Sequence, residues 1–596
     1  MTRLAELQIF ATPDTEMERR PDGTILLSSR LALPEWERSI PAVLRKRAAE
    51  HPDRPLAAQR ERDRDGRWVP LSYGEATRKA DTLAGVFRDL GLGPEKPVMI
   101  LSGNSLEHLL VSLGAYSAGA PAMPISVAYS LQSADHARIK AIAELTEPGL
   151  VFADDAAAFG PALDALQPRV PQALVARGER EGALRLDELL TSTAHQANPL
   201  DGDPGGEAVA KLLFTSGSTG TPKGVINTHR MLCANQAMLR TTWPFLAEEP
   251  PVLVDWLPWS HTFGGNHNLN LALFNGGTIN IDDGKPAPPL FPRTIAALKD
   301  HPPTVYFNVP AGYALLAPAL ERDAELAGRF FSRLRFMFYA AAALPDALAE
   351  RLRALAAEHA DHDVPLTSAW GTTETAPGAT SMHYLGAPTG CIGVPNPGTT
   401  LKLAPVGDKL EIRVKGPNVT PGYFRASELD NATFDEEGFY RSGDAVKLID
   451  EQDPNKGLMF DGRISENFKL LTGTWVAVGS LRTRLVSAAG VLSDAVICGQ
   501  DAEYVTALAW VNQAEAPRDG PALRAHLASV LARLNADAGS ASRIERLLLL
   551  ETPPSLDAGE ITDKGYLNQR RCLECRAADV ARLYAADPDP AVIRPA

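Results

Sequence analysis

From about Leu71 to about Leu366, short, mostly apolar runs of strand length alternate with stretches of helical spacing. The runs include Val98–Leu101, Val252–Leu257, Val305–Val309 and Arg335–Tyr339. Strand-length runs separated by helices predict an α/β architecture built on parallel strands. Around Thr400 the rhythm shortens. Leu401 and Leu403, then Leu410, Ile412 and Val414, alternate with polar residues, and Gly398, Gly407, Gly416 and Gly422 punctuate them. A period of two with frequent turns predicts a small antiparallel β unit over about residues 390–462. Beyond Gly462 a second alternation begins, with Val491–Cys498 and Tyr504–Val511 as strands and Pro521–Asn535 as a helix. That tail of roughly 130 residues is long enough for a domain of its own. The expected organisation is a large, multi-subdomain N-terminal domain over residues 1–462 and a smaller α+β C-terminal domain over 463–596.

The uncharged stretch from Leu109 to Ala134 is long enough to span a membrane, but Gly114, Gly119, Pro121 and Pro124 interrupt it. Buried strand and helix pieces are predicted there instead. Asp14, Glu16 and Glu18 precede any long apolar run, so no secretory leader is expected. With 45% hydrophobic and 22% charged residues, the 596-residue chain has the composition of an ordered globule. Fifty-nine Lys+Arg against 73 Asp+Glu give a net charge of −14, which argues against general binding to nucleic acid or anionic membrane. Five cysteines are too few for a disulfide framework at this length, so a reducing, cytoplasmic setting is predicted.

The strongest chemical signal is Leu212–Gly224, LLFTSGSTGTPKG. Glycines let backbone N–H groups approach an anion, hydroxyls add donors and Lys223 adds charge, which together suit a polyphosphate. The Walker pattern is not met, because Pro222 and Gly224 stand where its second glycine and Ser/Thr belong. A second segment, Ala369–Thr375 (AWGTTET), sets one carboxylate, Glu374, among hydroxyls, as a Mg²⁺ shared with phosphate oxygens requires. Thr-Thr-Glu is equally a good helix start. In Tyr440–Asp444 (YRSGD) an aspartate after a glycine turn suits ribose hydroxyls. Trp259–His267 (WSHTFGGNH) offers two histidines without a third metal ligand, so a pocket wall is preferred to zinc. Cys572 and Cys575 form a single CxxC with no second pair, a weak redox or zinc signal. Tyr306, Phe307, Phe336, Phe338 and Tyr339 read as core, and as part of a ligand pocket only if the site lies at the strand ends. From Leu470 onward there are twelve arginines and one lysine, Lys564, in a turn-like segment. A lone lysine where arginine supplies the surface charge is a candidate for chemistry.

Taken in order, TSGSTGTPKG, WGTTET, YRSGD, FDGR and a late lysine resemble the adenylate-forming superfamily of acyl-CoA synthetases, peptide-synthetase adenylation domains and luciferases. HPDRPLAA, LSYGEATRKA and GAPAMPISVAYS extend the resemblance to the first 200 residues, and SVAYSL, FYAAAALP, GRISENFKL and GEITDKGYLNQR narrow it to bacterial feruloyl-CoA synthetases. The resemblance implies a mobile C-terminal domain closing an active site against the large domain. It also implies two half-reactions: a carboxylate attacks MgATP to give an acyl-adenylate and pyrophosphate, and coenzyme A then displaces AMP. ATP, Mg²⁺ and CoA are the implied cofactors and co-substrates, and a small aromatic acid such as ferulate is the implied substrate, within phenylpropanoid catabolism. No nucleic-acid partner and no stable membrane insertion are implied, and a homodimer is left open. A stand-alone adenylation enzyme loading a carrier protein, or a ligase for another aryl or medium-chain acid, are the alternatives.

Carried over by position, Thr215, Ser216, Gly217, Ser218, Thr219, Gly220 and Lys223 would cradle the β- and γ-phosphates. Thr373 would meet the α-phosphate and Glu374 would hold Mg²⁺, with Trp370, Gly371 and Thr372 beside them. Ala340, Ala341 and Ala342 would line the adenine pocket, and Asp444 with Arg463 would hold the ribose. Lys564 would bridge the carboxylate and α-phosphate, and His261 would stand at the acyl gate. Lys469 and Gly473 would turn inward for thioester formation. Three departures stand out: Asp563 rather than glycine precedes Lys564, Ser465 stands at the hinge position, and Ala340–Ala343 replace a glycine pair, suggesting a slim, flat acyl group.

Overall fold

The computed structural model describes residues 8–61, 66–191, 203–216, 222–287, 289–512, 520–562, 565, 567–587 and 589–596. The architecture is α/β, with parallel sheets and a separate C-terminal α+β region. One sheet of seven strands runs from Pro222–Thr228 through Val209–Ser216, Ala122–Ile125, Val98–Leu101, Leu150–Asp155 and Ala173–Arg177 to Leu184–Arg185. Its interior is parallel, and only the Val209–Ser216/Pro222–Thr228 pair is antiparallel. A four-stranded sheet joins Val252–Asp255, Thr278–Ile281, Pro55–Arg60 and Trp68–Ser72. Helices pack on these sheets through buried apolar faces, and their starts are capped locally. Ser72 and Glu75, for instance, exchange side-chain and backbone bonds to open the helix Tyr73–Asp89.

The uncharged stretch divides into the helix Leu106–Ala118, the strand Ala122–Ile125 and the helix Ala128–Leu131, with Gly119 at φ 75° closing the first helix. Among the described residues, no helix is long and apolar enough to cross a membrane. Two strands end sooner than their apolar runs. After Val252–Asp255 the Asp255 carboxylate accepts the Leu257 N–H at 3.3 Å and turns the chain. After Val305–Asn308, Val309 becomes the N-cap of the helix Pro310–Arg322.

The alternating segment near Thr400 is not a closed unit. Thr400–Val406, Lys409–Lys415, Tyr440–Leu448, Leu458–Arg463 and Cys391–Pro395 continue through Gly378–Ser381 into Leu366–Gly371, Phe336–Tyr339 and Val305–Asn308 as one sheet of 11 strands. Its far edge is an N-terminal hairpin, Thr15–Arg19 and Ile25–Ser29, whose second strand pairs antiparallel with Thr400–Val406. The C-terminal region holds a ribbon, Phe468–Lys469 with Trp475–Val476, and a sheet of Leu492–Cys498, Val505–Val511 and Ile544–Leu549. Helices Val478–Ala489 and Gly520–Asn535 cover it, sharing one apolar core.

Candidate active site

The Gly/Ser/Thr run is the tip of a hairpin. Thr215 stands opposite Lys223, and Ser216 opposite Pro222. Gly217, Ser218, Thr219 and Gly220 lie outside the described residues. A strap from Thr420 to Phe424 binds the second strand of the hairpin. The Ile226 N–H donates to the Gly422 carbonyl at 3.2 Å, the Phe424 N–H to Gly224 at 2.8 Å, and Thr420 Oγ1 to Ile226 at 2.7 Å. The same strap reaches Glu374, since the Thr420 N–H donates to its carbonyl at 2.8 Å and Tyr423 Oη donates to its Oε1 at 2.9 Å. Lys223 Nζ lies 5.4 Å from the centroid of the Tyr423 ring, within cation–π range. One tyrosine thus joins the hairpin lysine to the glutamate.

Glu374 belongs to the short turn Thr373–Thr375 that ends the strand Leu366–Gly371. On that strand the Trp370 Nε1–H donates to Asp444 Oδ2 at 3.0 Å, while Arg463 Nε stands 3.2 Å from Asp444 Oδ1. Asp444 and Arg463 are cross-strand partners, so the sheet register itself brings YRSGD and FDGR together. Burial pushes the Asp444 carboxyl above its ordinary range, against the pull of Arg463 and Trp370. Asp444 in turn raises the Arg463 guanidinium. Tyr440, buried beside Glu374 and Asp444, has its hydroxyl pushed up by burial and by Glu374.

Tyr339 pairs in parallel with Ser368, so Ala340–Ala342 leave the sheet at the same end as Thr372–Glu374. Ala341 and Ala342 are exposed, and Ala341 sits at φ 74°, a left-handed conformation that costs an L-residue about 1–2 kcal/mol. Phe263–Asn268 forms a π-type turn of the kind often found at functional sites. Its glycines are steric necessities: a Cβ on Gly264 would meet the Leu257 carbonyl oxygen at 2.3 Å, and one on Gly265 the Trp259 carbonyl oxygen at 2.3 Å. His261 is half-buried at its entrance, its N–H donating to the Pro258 carbonyl at 3.0 Å. Behind the turn, buried Lys211 donates to the Gly265 carbonyl at 3.3 Å and to Asn266 Oδ1 at 3.0 Å, and burial lowers its pKa to about 7.

Lys564 lies outside the described residues, but the loop leading to it docks on the large domain. Arg138 donates to the Leu556 carbonyl at 3.0 Å, and the Ala134 N–H to Asp557 Oδ2 at 3.3 Å. Leu556 packs on the same apolar cluster as Phe214 and Ile226 of the hairpin. Glu560, within that loop, is held by a two-pronged ion pair with Arg576 at 2.5 and 2.8 Å. Lys469 and Gly473 sit on the C-terminal ribbon, with Lys469 Nζ 4.9 Å from the Trp475 ring centroid and the Gly473 N–H donating to the Leu470 carbonyl at 2.8 Å. Cys572 is a buried free thiol and Cys575 an exposed one. Among the described residues, no group of three or more His, Cys, Asp or Glu could hold a metal by itself.

Sequence reasoning missed Tyr423 and Lys211. A tyrosine in PGYF looks like any turn aromatic, and no local signal marks a lysine for burial.

The profile of the AMP-binding enzyme family matches residues 44–424, and that of the AMP-binding enzyme C-terminal domain matches residues 467–588. A feruloyl-CoA synthase from an Amycolatopsis species is 27% identical over 397 residues, covering 63% of this chain and 71% of that protein. A sulfoacetate–CoA ligase from Cupriavidus necator is 28% identical over 543 residues, covering 87% of this chain and 98% of that protein. Among solved structures, that of the anthranilate CoA ligase AuaEII in complex with anthranoyl-AMP superposes with a TM-score of 0.72. It is 19% identical and covers 92% of this chain and 99% of that one.

Proposed function

The chain belongs to the AMP-binding enzyme family of acyl-CoA ligases, and from that premise we propose that it converts an aromatic carboxylic acid, ferulate or a related hydroxycinnamate, to its CoA thioester through an acyl-adenylate. The observation that carries this reading is the convergence of Lys223, Glu374, Trp370, Asp444 and Arg463 through hydrogen bonds, an ion pair and one ring contact at one end of the sheets. The feruloyl-CoA synthase relative and the slim alanine wall at Ala340–Ala342 support the choice of acid.

A carboxylate is a poor acyl electrophile, and joining it to AMP supplies a good leaving group. What the protein adds is positioning and charge stabilisation. Thr215–Lys223 cradle the β- and γ-phosphates. Thr373 donates to the α-phosphate, where charge builds as pyrophosphate departs. Asp444 accepts from the ribose hydroxyls, with Arg463 at 3.2 Å pulling against the burial that raises its carboxyl. Ala340–Ala342 and Trp370–Thr372 flank the adenine and phosphates. A single buried carboxylate at Glu374, with no three-ligand cluster among the described residues, fits Mg²⁺, which takes few protein ligands and leaves the rest to phosphate and water. When bound, that ion supplies charge neutralisation on the phosphates.

Residues 1–462 and 463–596 are taken as the two lobes, with Ser465 at the hinge. In one arrangement Lys564 bridges the acid carboxylate and α-phosphate. In the other, Lys469 and Gly473 face the site, and CoA enters past His261. The test is CoA-dependent AMP and pyrophosphate formation across a panel of acids. Turnover of hydroxycinnamates is expected. Brisk turnover of aliphatic acids alone would remove the aromatic assignment, and adenylate formation without a CoA thioester would favour loading of a carrier protein. Lys564→Ala is expected to slow adenylate formation roughly 10²–10³-fold, the scale for losing one charge-stabilising donor, and to slow thioester formation from preformed adenylate far less.

A further inference from the structure

The acyl side of the site contains a histidine to which the reaction above gives no role. His267 lies on the turn Phe263–Asn268, buried among the rings of Trp243, Phe263, Phe307 and Phe338 at centroid separations of 5.8, 5.7, 4.9 and 5.4 Å. Its Nδ1 is 2.8 Å from Asn268 Oδ1, whereas its Nε2 is buried without a hydrogen-bond partner. The Asn268 amide is oriented from behind, because its Nδ2–H donates to Asp255 Oδ1 at 3.1 Å. With its NH₂ committed to the aspartate, Asn268 turns its oxygen toward His267. Nδ1 therefore carries the ring proton, and Nε2 is left as a bare acceptor. Burial lowers the ring pKa to about 4, so the imidazole is neutral at pH 7.

A complementary orphan adjoins it. The Trp243 Nε1–H, on the ring 5.8 Å away, is buried without an acceptor. Desolvated and unpaired, both groups are costly to leave as they are. A hydroxyl answers both needs, since it donates one hydrogen bond and accepts another. The approach is also defined. Of the four rings only that of Phe263 is half-buried, and Trp256, Val309, Ala340 and Ala369 are partly buried around the same apolar cluster. Phe263, close after the half-buried His261, and Ala340, next to the exposed Ala341, are the partly buried members of this cluster nearest the surface in sequence.

Resting on the reading of the protein as a ligase of aromatic acids, we propose that His267 Nε2 is the specificity-determining group of the acyl site, accepting a hydrogen bond from a ring hydroxyl so that phenolic acids are selected.

The test compares 4-hydroxycinnamate, 4-methoxycinnamate and cinnamate in CoA-dependent AMP formation by the wild type, His267→Phe and His267→Gln. The wild type is expected to favour the hydroxy acid over the other two by about 10–100-fold in kcat/KM, the scale of a buried hydrogen bond left unmade. His267→Phe is expected to bring that ratio within about threefold of unity, and His267→Gln, whose Oε1 also accepts, to retain a larger one. A merely structural role would lower all three acids together and leave the ratios intact. That result, or a wild type indifferent between hydroxy and methoxy acids, overturns the assignment of His267 while leaving the ligase reading in place. If His267→Phe does not fold, the wild-type hydroxy/methoxy ratio and His267→Gln decide. A wild type that turns over aliphatic but no aromatic acids overturns the aromatic reading itself.

Discussion

Replacing Gly371 by alanine tests whether the strand end holds Glu374 in place. A Cβ there would lie 1.8 Å from the Pro377 carbonyl oxygen, 2.7 Å from its carbon and 3.2 Å from Gly378 Cα, all backbone atoms that cannot swing aside. Carbon and oxygen settle no closer than about 3.3 Å, so the strands must part by about 1.5 Å at the Gly371–Gly378 pair. Thr373 and Glu374 follow within three residues, and the bonds that hold Glu374 from elsewhere, the Thr420 N–H on its carbonyl and Tyr423 Oη on its carboxylate, come from the strap and not from this strand pair. A displacement of about 1 Å in a positioned group costs on the order of 10²-fold in rate, and overpacking of this kind costs about 1–3 kcal/mol of stability. Gly371→Ala should therefore slow ATP–pyrophosphate exchange roughly 100-fold and lower the melting transition. Gly328→Ala is a fair control: the glycine is exposed within the helix Ala324–Phe331, and an added Cβ there meets nothing within 4 Å. Wild-type exchange by a folded Gly371→Ala protein would refute the claim that this backbone contact positions the turn.

The control carries its own prediction: helix propensity alone should make Gly328→Ala more stable by about 0.5–1 kcal/mol, measurable as a higher denaturation midpoint. Tyr423→Phe removes the bond to Glu374 but keeps the ring beneath Lys223, and the loss of a hydrogen bond to a charged group, about 1.5–3 kcal/mol, should appear as slower exchange with the fold intact. Asp435 is fully buried, and although burial pushes its carboxyl up, Lys402 at 2.9 Å, the Phe439 N–H and Arg413 at 3.0 Å bring it down to about 2. A folded pKa below the unfolded one adds stability that is present above about pH 4 and is lost as pH falls toward 2, an amount of about 2–3 kcal/mol. Asp435→Asn should be destabilised by that amount at pH 7, and in acid melts its gap from the wild type should close between pH 4 and 2.

Strands were legible wherever burial on both faces left an unbroken apolar run, as at Val98–Leu101, which the sheet reproduces residue for residue. Strand ends were legible only where apolarity stopped at the structural boundary. At Asp255 and Val309 a side-chain acceptor and a helix cap ended the strands, and hydropathy has no access to either. The hairpin strand Thr15–Arg19, TEMER, gave no pattern because an edge strand can stay largely exposed and charged. In the site, residues marked by their motifs (Lys223, Glu374 and Asp444) and Arg463, marked by the resemblance alone, fall near one another. Those that join them through single contacts, Tyr423 above all, carry no local mark. Asn268 is similar: its importance lies in which of its amide atoms faces Asp255, a fact of three dimensions.

The pairing of Ile25–Ser29 with Thr400–Val406 has a consequence during synthesis. Roughly 370 residues separate the two strands, and at about 5–20 residues per second a ribosome takes on the order of 20–75 s to supply the second. Throughout that interval Ile25 and Leu27, which end up buried, have no strand of the large sheet to lean on. The nascent chain must carry an open, sticky end for most of its translation. Slowing elongation, or withdrawing the chaperones that shield such ends, should lower soluble yield through this hairpin, and polar substitutions at those two positions should alter how the chain aggregates before they alter any step of the chemistry.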